Sequence, residues 1–316
     1  EETSAHVRKI IKKLNYIPNS NARNLRVGRT RLFGLIISDI NNPFFPELID
    51  AFEALATEQA IDVIFTHTNY DPERLYKCMR RMVDRNVDGI AVMTSEVDDR
   101  ALEQAAHGRI PLVLLNQKSF EDRYCNIPVE YSHGFREAIE HLQFLGHQNI
   151  GFIAGPSTLS SARRRRDAFI ASLKYCGLSL RREWIATGDL RVEGGKLAMQ
   201  QLLATNPRPT AVVTTNDLMA VGALQATQEA GVRVPEEMSI VGFDDLPIAS
   251  MVFPPLSTIH LPRREIARNA FTSLLQAIQP KGKPAARSKP VVQCPVVYPR
   301  LVVRQSSGKV ARGRKK

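Results

Sequence analysis

From Leu32 onwards, short apolar segments alternate with longer amphipathic ones, and this alternation constrains the fold more than any other feature of the chain. The segment LFGLIIS is continuously apolar, which is typical of a parallel strand buried on both faces. After NNPFF, the spacing of Leu48, Phe52 and Leu55 predicts an amphipathic helix. The pattern then repeats as strand DVIFTH, helix 72–86, strand GIAVMT, helix 98–107 and strand PLVLLN. These segments predict one doubly wound α/β unit.

A second, similar unit begins near Ile127. Its predicted elements are helix 131–145, strand NIGFIAG, helices 160–176 and 192–205, strand TAVVTT, helix 218–230 and strand SIVGFD. The later segments LSTIH, 263–279 and VVYPRLVV are too short for a third unit, so we expect them to complete the first two. The predicted fold class is therefore α/β with two doubly wound parallel-sheet lobes, formed by residues 32–128 with 261–296 and by residues 129–260 with 297–305. Ligands of open α/β sheets bind at the carboxyl ends of the strands, which predicts a site in the cleft between the lobes.

The net charge of +11 is concentrated at the two ends of the chain. Residues 1–31 carry 8 basic and 2 acidic groups, residues 32–280 carry 24 and 30, and residues 281–316 carry 11 basic groups and no acidic one. An acidic body with basic ends favours contact with a polyanion, and nucleic acid is the commonest such partner. The basic tail, residues 306–316, has no apolar pattern and is predicted to be disordered.

Residues 1–31 combine one amphipathic helix with a segment that is a poor helix. Val7, Ile10 and Leu14 lie on one face of a helix that ends near residue 14, and this apolar stripe needs a packing partner. In residues 19–26, three asparagines disfavour an isolated helix, because asparagine side chains compete for their own backbone. Leu25 has no apolar neighbour at helical spacing. Either this segment folds against an external surface, or it is a solvated linker with one exposed leucine.

The sequence also lacks the features of several function classes. It has no run of about 18 apolar residues and a charged start, so neither a membrane span nor a secretory signal is predicted, and we expect a soluble, cytoplasmic protein. Cys78, Cys125, Cys176 and Cys294 show no ligand spacing, which favours reduced, buried thiols over a metal site or a disulfide framework. No GxGxxG or GxSxG motif occurs, and GDLRVEGGKL has the wrong spacing for a phosphate loop. We therefore predict no enzymatic activity, no metal and no cofactor.

Polar residues stand at the ends of three predicted strands. They are Asn116 in PLVLLN, Asn216 and Asp217 after TAVVTT, and Asp244 and Asp245 at the end of SIVGFDD. Each could instead cap a turn or a helix, and Asp217 is well suited to cap the helix that follows it. Their recurrence at three strand ends favours a shared binding site over three separate caps.

Four consecutive arginines, Arg163 to Arg166, lie in the first turn of a predicted helix. The helix dipole disfavours cations there by roughly 0.3 to 1 kcal/mol each. One or more of the four is therefore expected to have an anionic partner or a ligand, whereas most of them are expected to form a solvated face.

A set of motifs extends over nearly all of residues 1–305. They are EETSAHVRKIIKKLNYIPN, NARNLR, DINNPFF, RNVDGIAVM, GHQNIGFIAGP, RPTAVVTTNDLMAVGAL, VPEEMSIVGFDDLPIAS and PPLSTIHLP. As a set they are highly specific, and with them the chain resembles bacterial transcription regulators of the lactose repressor/galactose repressor (LacI/GalR) family. The resemblance implies two lobes of the type I periplasmic-binding-protein fold. It also implies that residues 1–31 are a partial helix-turn-helix headpiece with a hinge helix at residues 19–26.

The resemblance implies an effector-responsive DNA-binding regulator, expected to be a homodimeric repressor. In this family the hinge helices of a dimer enter the minor groove of palindromic operator DNA and a leucine wedges between base pairs; the matching positions are Ala22, Leu25 and Arg26. The implied effector contacts are Phe44 or Phe45, Asn116, Arg165, Asn216 and Asp244. Amide, carboxylate and guanidinium groups beside an aromatic ring suit a polyhydroxylated ligand, so a small sugar-like effector is expected rather than a purine.

The chain departs from the family pattern in three places. The two headpiece helices that should precede residue 1, including the recognition helix, are absent, so we expect an N-terminally truncated regulator, a sequence whose start was assigned too late, or a natural variant without direct base readout. Val129 and Glu130 stand where many relatives have an Asp-Asn pair, and Leu190 stands where relatives often stack an aromatic ring on the ligand. The departures at Val129, Glu130 and Leu190 favour an effector other than a standard sugar. The alternative function is a periplasmic-type solute-binding protein, but that class needs a signal peptide, and residues 19–26 would have no role in it.

Overall fold

The computed structural model describes residues 29–278 and 294–310, apart from positions 95, 98, 109 and 118–123, together with residues 6, 10 and 13. Residues 6, 10 and 13 are helical. The segment 19–26, with the predicted DNA contacts Ala22, Leu25 and Arg26, lies outside the described residues. The hinge helix and its contacts with DNA therefore stay predictions.

The first lobe is built on a five-stranded parallel sheet with the strand order β2-β1-β3-β4-β5. Its strands are β1 (Leu32–Ile37), β2 (Asp62–His67), β3 (Gly89–Met93), β4 (Leu112–Leu115) and β5 (Cys125–Ile127). Helices α1 (Phe44–Glu58), α2 (Pro72–Asp84) and α3 (Asp99–His107) connect the first four strands. This is the doubly wound unit that the first half of the sequence predicts.

The second lobe is built on a six-stranded sheet with the order β11-β10-β9-β8-β6-β7. Its strands are β6 (Ile150–Ala154), β7 (Ile185–Thr187), β8 (Ala211–Thr214), β9 (Ser239–Asp244), β10 (Ser257–His260) and β11 (Arg300–Val302). The helices around them are α4 (Tyr131–Phe144), α5 (Ser160–Tyr175), α6 (Val192–Leu203), α7 (Asp217–Glu229) and α8 (Ile248–Met251). All pairs are parallel except β10 with β11, so the predicted class, two doubly wound parallel-sheet lobes, is confirmed.

After β10 the chain returns to both lobes. Helix α9 (Arg263–Ile278) packs against α1 and β3 of the first lobe, whereas β11 pairs with β10 of the second. Val129 and Val297 form an isolated parallel bridge where the two crossing segments run side by side. These contacts support the proposed lobe boundaries, 32–128 with 261–296 and 129–260 with 297–305.

Aromatic side chains anchor the elements that carry the cleft residues. In the first lobe, Phe33, Phe52 and Phe271 join β1, α1 and α9 with ring centroids 5.6 to 6.5 Å apart. In the second lobe, the rings of Phe152 and Phe169 are stacked at 4.4 Å and join β6 to α5. All these rings are buried, with at most 4% of their surface exposed, and burying one such side chain contributes roughly 1.5 to 3 kcal/mol. The helices that face the cleft are thus held firmly on their sheets.

Helices α6 and α7 approach each other closely enough to require glycine at the contact. A methyl group on Gly222 of α7 would overlap the carbonyl oxygen of Val192, and one on Gly195 of α6 would overlap the backbone of Met219. This backbone contact fixes the N-terminus of α7, the element that begins next to Asn216.

Two predicted features differ from the structure. Strands β5 and β7 were not predicted, because each has only three residues and shows no periodic pattern of its own. The disordered tail predicted for residues 306–316 is wrong for residues 306–310. Ser306 is fully buried and donates to the Ile240 carbonyl at 2.6 Å, and the Val310 amide donates to the Leu145 carbonyl at 3.0 Å. Backbone and hydroxyl hydrogen bonds, which leave no apolar pattern in the sequence, hold this segment, and residues 311–316 lie outside the described part.

All four cysteines are free thiols, and three of them are buried as predicted, whereas Cys176 is partly exposed. Within the described residues, no helix is both long enough and apolar enough to span a membrane.

Candidate ligand-binding site

A cavity lies between the lobes, at the carboxyl ends of strands from both sheets. The residues Phe44 and Phe45 begin α1, Asn116 follows β4, Arg165 lies in α5, Asn216 follows β8 and Asp244 ends β9. All six of these residues, proposed from the sequence as ligand contacts, line this one cavity of about 80 Å³. Typical ligand pockets enclose roughly 300 Å³ or more, so a sugar-sized ligand requires the lobes to move apart.

The centre of the site is a buried ion pair between Arg165 and Asp244. The Nη2 atom of Arg165 donates to Oδ1 of Asp244 at 2.9 Å, and Nη1 donates to the Thr215 carbonyl at 2.8 Å. The guanidinium carbon lies 4.2 Å from the centroid of the Phe243 ring. The Arg165 and Asp244 side chains are only 13% and 2% exposed, and Nε of Arg165 has no hydrogen-bond partner among the described residues. The pair therefore places two charged, hydrogen-bonded groups in the cavity wall.

The environment shifts the pKa values of both partners. Burial raises the pKa of the Asp244 carboxyl, the charge of Arg165 lowers it, and burial prevails. For Arg165, burial lowers the pKa and the charge of Asp244 raises it, with a net rise that keeps the guanidinium protonated. A charged, hydrogen-bonded pair in a site with little water binds polar ligand groups more strongly than the same pair would at the surface.

The side chains of the two asparagines in the site form hydrogen bonds with backbone groups. Asn216 accepts from the Met219 amide at 3.0 Å, which caps α7, and its Nδ2 atom donates to the Leu190 carbonyl at 2.8 Å. Asn116 accepts from the Val129 amide at 3.3 Å. The capping role that the sequence also allowed is thus real for Asn216, and it orients the amide toward the cavity instead of excluding it from the site.

Asp217 does not cap α7, contrary to the alternative raised from the sequence. It is the first residue of the helix and is fully buried. Its Oδ2 atom accepts from the Leu246 amide at 2.6 Å, and its Oδ1 atom accepts from Thr258 Oγ1 at 2.5 Å. The residues that it supports, Asp244 and Asp245, have positive φ angles of 108° and 56°. Asp217 therefore holds the turn that presents Asp244, a role that depends on the neighbouring β9 and β10 and has no local signal in the sequence.

Asp217→Asn is expected to flatten the dependence of stability on pH. Burial, followed by the charge of Asp244, raises the pKa of Asp217 from 3.8 to about 8, so the native state keeps this proton after the unfolded state has lost it. The contribution to stability is fully present below about pH 4 and is lost as the pH rises toward about 8, at up to about 1.4 kcal/mol per pH unit. Asparagine mimics the neutral carboxyl and can still accept from Leu246.

Urea unfolding of the wild type and of Asp217→Asn at a series of pH values between about 5 and 8 measures this effect. The exposed Asp167→Asn is the matched control and should follow the wild type. Parallel pH curves for wild type and Asp217→Asn would show that Asp217 titrates normally.

The departures from the family pattern have structural consequences. Leu190 lines the cavity with a positive φ of 69°, and its carbonyl holds Asn216. Val129 is buried, and its amide holds Asn116. Glu130 is exposed, does not line the cavity, and caps α4 by accepting from the Ser132 amide at 3.3 Å. Leu190 and Val129 therefore support the site through backbone atoms, Glu130 caps α4 through its side chain, and of the three only Leu190 lies on the cavity wall.

Arg263 connects the two lobes beneath the cavity and was not singled out from the sequence. It begins α9 in the first lobe and is 5% exposed. Its Nε atom donates to Oε2 of Glu47 on α1 at 2.5 Å, while Nη1 donates to the Asp244 carbonyl and Nη2 to the Asp245 carbonyl at 3.0 Å. Through Arg263, the first lobe is thus hydrogen-bonded to the backbone of the turn that carries Asp244, and the side chain of Asp244 lines the ligand site.

Within the described residues, no group of three or more His, Cys, Asp or Glu side chains is arranged to hold a metal ion. The rest of the cavity wall consists of Arg164 and of uncharged residues, among them Tyr70 and Tyr131. Burial raises the pKa of the Tyr70 hydroxyl, so this group stays a neutral donor and acceptor. The arrangement suits the binding of a small polar molecule.

A family model described as periplasmic binding proteins and the sugar-binding domain of the LacI family matches residues 30–299. The chain is 34% identical over 310 residues to the HTH-type transcriptional repressor PurR of Photorhabdus laumondii subsp. laumondii, covering 97% of this chain and 88% of that protein. It is 33% identical over 307 residues to PurR of Pasteurella multocida, covering 96% of this chain and 90% of that protein.

Solved structures show the same likeness. The lac repressor dimer bound to operator and the anti-inducer ONPF matches with a TM-score of 0.80 at 26% identity, over 93% of this chain and 99% of that one. A LacI family transcriptional regulator from Enterococcus faecium with bound ribose matches with a TM-score of 0.76 at 26% identity, over 88% of this chain and 99% of that one. The predicted type I periplasmic-binding-protein fold is thereby confirmed.

Proposed function

Because the chain belongs to the LacI family of transcription regulators, we propose that it is a repressor whose affinity for operator DNA is set by a small molecule bound between its lobes. The observation that carries this proposal is the convergence of residues from both lobes on one cavity around the Arg165–Asp244 pair. The relatives described above are transcriptional repressors, which supports a regulatory role and not an enzymatic one.

The ligand proposed for this cavity is a small polyhydroxylated molecule. Asn116, Asn216 and the Arg165–Asp244 pair supply donors and acceptors on its polar sides, and the rings of Phe44 and Phe45 supply an apolar wall. The solved relative with bound ribose supports a sugar-like ligand, whereas the relatives named PurR make a purine the other class to test.

Contacts across the cleft provide a means to couple ligand binding to the position of the lobes. Arg263 holds the Asp244 turn from the first lobe, and the Ser160 amide of α5 donates to Oε1 of Glu96 at 2.9 Å. A ligand that binds Asp244 and Arg165 changes the balance between closed and open arrangements by its difference in affinity for the two. In this proposal, the closed arrangement and the open one differ in how they place the segment that precedes residue 32.

The proposed DNA contacts are Ala22, Leu25 and Arg26 in the hinge segment, supported by the excess of basic groups in residues 1–31. We further propose a homodimer on palindromic DNA. Met251, the last residue of α8, and Phe253, two positions further on, are 77% and 92% exposed and offer an apolar contact for a second copy. As a DNA-binding regulator, the protein is proposed to act in the cytoplasm.

We expect the protein, as its host produces it, to select a palindromic site from random DNA and to bind it with two chains per site. Leu25→Ala should weaken this binding at least about tenfold, equivalent to 1.4 kcal/mol, because the leucine wedge compensates for unstacked base pairs. Ser20→Ala in the same segment is the matched control and should bind as the wild type does. A gel-shift titration at fixed salt concentration measures both.

An absence of DNA binding by this protein even at low salt concentration would contradict the repressor proposal. Ligand binding without DNA binding would favour the alternative, a solute-binding protein of the periplasmic type.

A further inference from the structure

Three of the four arginines at the start of α5 have their partners within the protein. Arg165 is paired with Asp244, and Arg166 is paired with Asp167 at 3.0 Å. Arg163 donates to the carbonyls of residues 157 and 158 at 2.6 and 3.0 Å. The sequence predicts that at least one cation in this helical turn needs an anionic partner or a ligand. Arg163 and Arg164 both have only neutral acceptors among the described residues, but Arg163 is exposed to solvent whereas Arg164 lines the cavity, so Arg164 is the candidate ligand contact.

Arg164 is half-buried and lines the cavity between the lobes. Its Nη2 atom donates to Oε1 of Gln117 at 3.2 Å and lies 3.4 Å from the Ser160 hydroxyl. Both acceptors are neutral, and no carboxylate in the described part of the chain forms an ion pair with Arg164. A half-buried guanidinium that meets only neutral acceptors keeps its full charge facing the cavity.

The balance of charge in the cavity is therefore positive. Its charged wall residues are Arg164, Arg165 and Asp244, and the last two neutralise each other. The nearby carboxylate of Glu96 accepts from the Ser160 amide at the N-terminus of α5, where a negative charge is favourable, and it forms no ion pair with Arg164. One positive charge is left over at the place where the ligand binds.

We propose that the ligand of this cleft is an anion, and that Arg164 binds its carboxylate or phosphate group. The planar guanidinium fork matches either group with two parallel hydrogen bonds. Asn116, Asn216 and Asp244 then take the hydroxyl groups of the same molecule. This inference rests on the ligand site of the proposed function and makes that site specific for acidic or phosphorylated polyols over neutral sugars and neutral purines.

The first test uses inorganic phosphate as the probe and thermal unfolding as the measurement. Phosphate also stabilises folded proteins nonspecifically, so the quantity that matters is the difference between variants. Phosphate should stabilise the wild type more than Arg164→Leu, whereas Arg166→Leu, two residues further along α5 and partly exposed, should respond as the wild type does. Arg164→Lys keeps the charge without the fork and should retain part of the response.

The second test identifies the source of the negative charge. Glucose, gluconate and glucose 6-phosphate form one matched series, and ribose with ribose 5-phosphate forms another. At least one anionic member should bind more tightly than its neutral parent, and Arg164→Leu should raise the dissociation constant of that anion at least tenfold without changing that of the neutral parent. Preference for gluconate assigns a carboxylate, and preference for a phosphate ester assigns a phosphate.

Equal responses to phosphate in the wild type and in Arg164→Leu would overturn the proposal, and so would a neutral sugar or a neutral purine that binds more tightly than every anion. These failures differ from a failure of the repressor proposal. If an anion binds through Arg164 but the protein binds no DNA, the repressor proposal fails and the anion site remains. If a neutral ligand controls DNA binding, the anion proposal fails and the repressor proposal remains.

Discussion

Arg165→Leu is expected to lower the free energy of unfolding by about 3 to 5 kcal/mol and to abolish ligand binding in the cleft. The substitution leaves the carboxylate of Asp244, which is 2% exposed, without its cation, and an uncompensated buried charge is strongly destabilising. It also removes the guanidinium that holds the Thr215 carbonyl and faces the cavity. Urea unfolding and a ligand titration measure the two effects separately.

Two further variants show whether the unpaired charge of Asp244 causes the loss of stability in Arg165→Leu. Adding Asp244→Asn to Arg165→Leu should recover much of the stability, because it removes the stranded charge, and asparagine tolerates the positive φ at this position. Ligand binding should stay abolished. The exposed pair of Arg233 and Glu237 provides the control, since Arg233→Leu should cost less than about 1 kcal/mol. If Arg165→Leu unfolds at the same urea concentration as the wild type, the pair does not stabilise the protein.

Arg263→Met is expected to cost about 3 kcal/mol of stability and to weaken ligand binding from a position outside the cavity wall. The variant preserves the length of the side chain but leaves Glu47 and the carbonyls of Asp244 and Asp245 without their donor. Because Arg263 joins the first lobe to the Asp244 turn, its loss favours the open arrangement of the lobes. Small-angle X-ray scattering should show a larger radius of gyration in the unliganded variant.

The neighbouring Arg264→Met is the matched control for this prediction. Arg264 is 69% exposed and lies 3.5 Å from the same Glu47, so its loss should cost less than about 1 kcal/mol and leave the lobes in place. Equal effects of the two substitutions on stability and on the radius of gyration would show that the positive charge near Glu47 is responsible, and not the hydrogen bonds from Arg263 to the Asp244 turn.

The sequence was a good guide to the elements that form the lobes and to one class of site residue. Strands such as β3 and β9 are buried along their whole length and appear as continuous apolar runs, so their positions follow from local composition. Asn116, Asn216 and Asp244 end three such strands, and parallel strands place their carboxyl ends at one edge. Phe44, Phe45 and Arg165 were placed by the family resemblance, and all six residues meet at one cavity.

The sequence did not predict which charges would find partners. Asp217 was expected in a shared binding site or, alternatively, as a helix cap, but it supports the turn after β9, while Arg263 pairs with Glu47, which is 216 positions away. The short edge strands β5 and β7 and the packed segment 306–310 were likewise missed, because they are held by hydrogen bonds to neighbours that are remote in sequence.

The sequence by itself thus determined the alternation of strands and helices and the two lobes, because burial of apolar side chains leaves a periodic pattern along the chain. The family was indicated separately, by the resemblance of the motifs to those of known regulators. Only the tertiary structure decided that Arg165 is neutralised by Asp244 while Arg164 keeps a charge facing the cavity. The four arginines are equivalent in sequence, but the energy of each depends on its distance to a carboxylate and on how far both groups are removed from water. Those two quantities exist only once the lobes have folded and met.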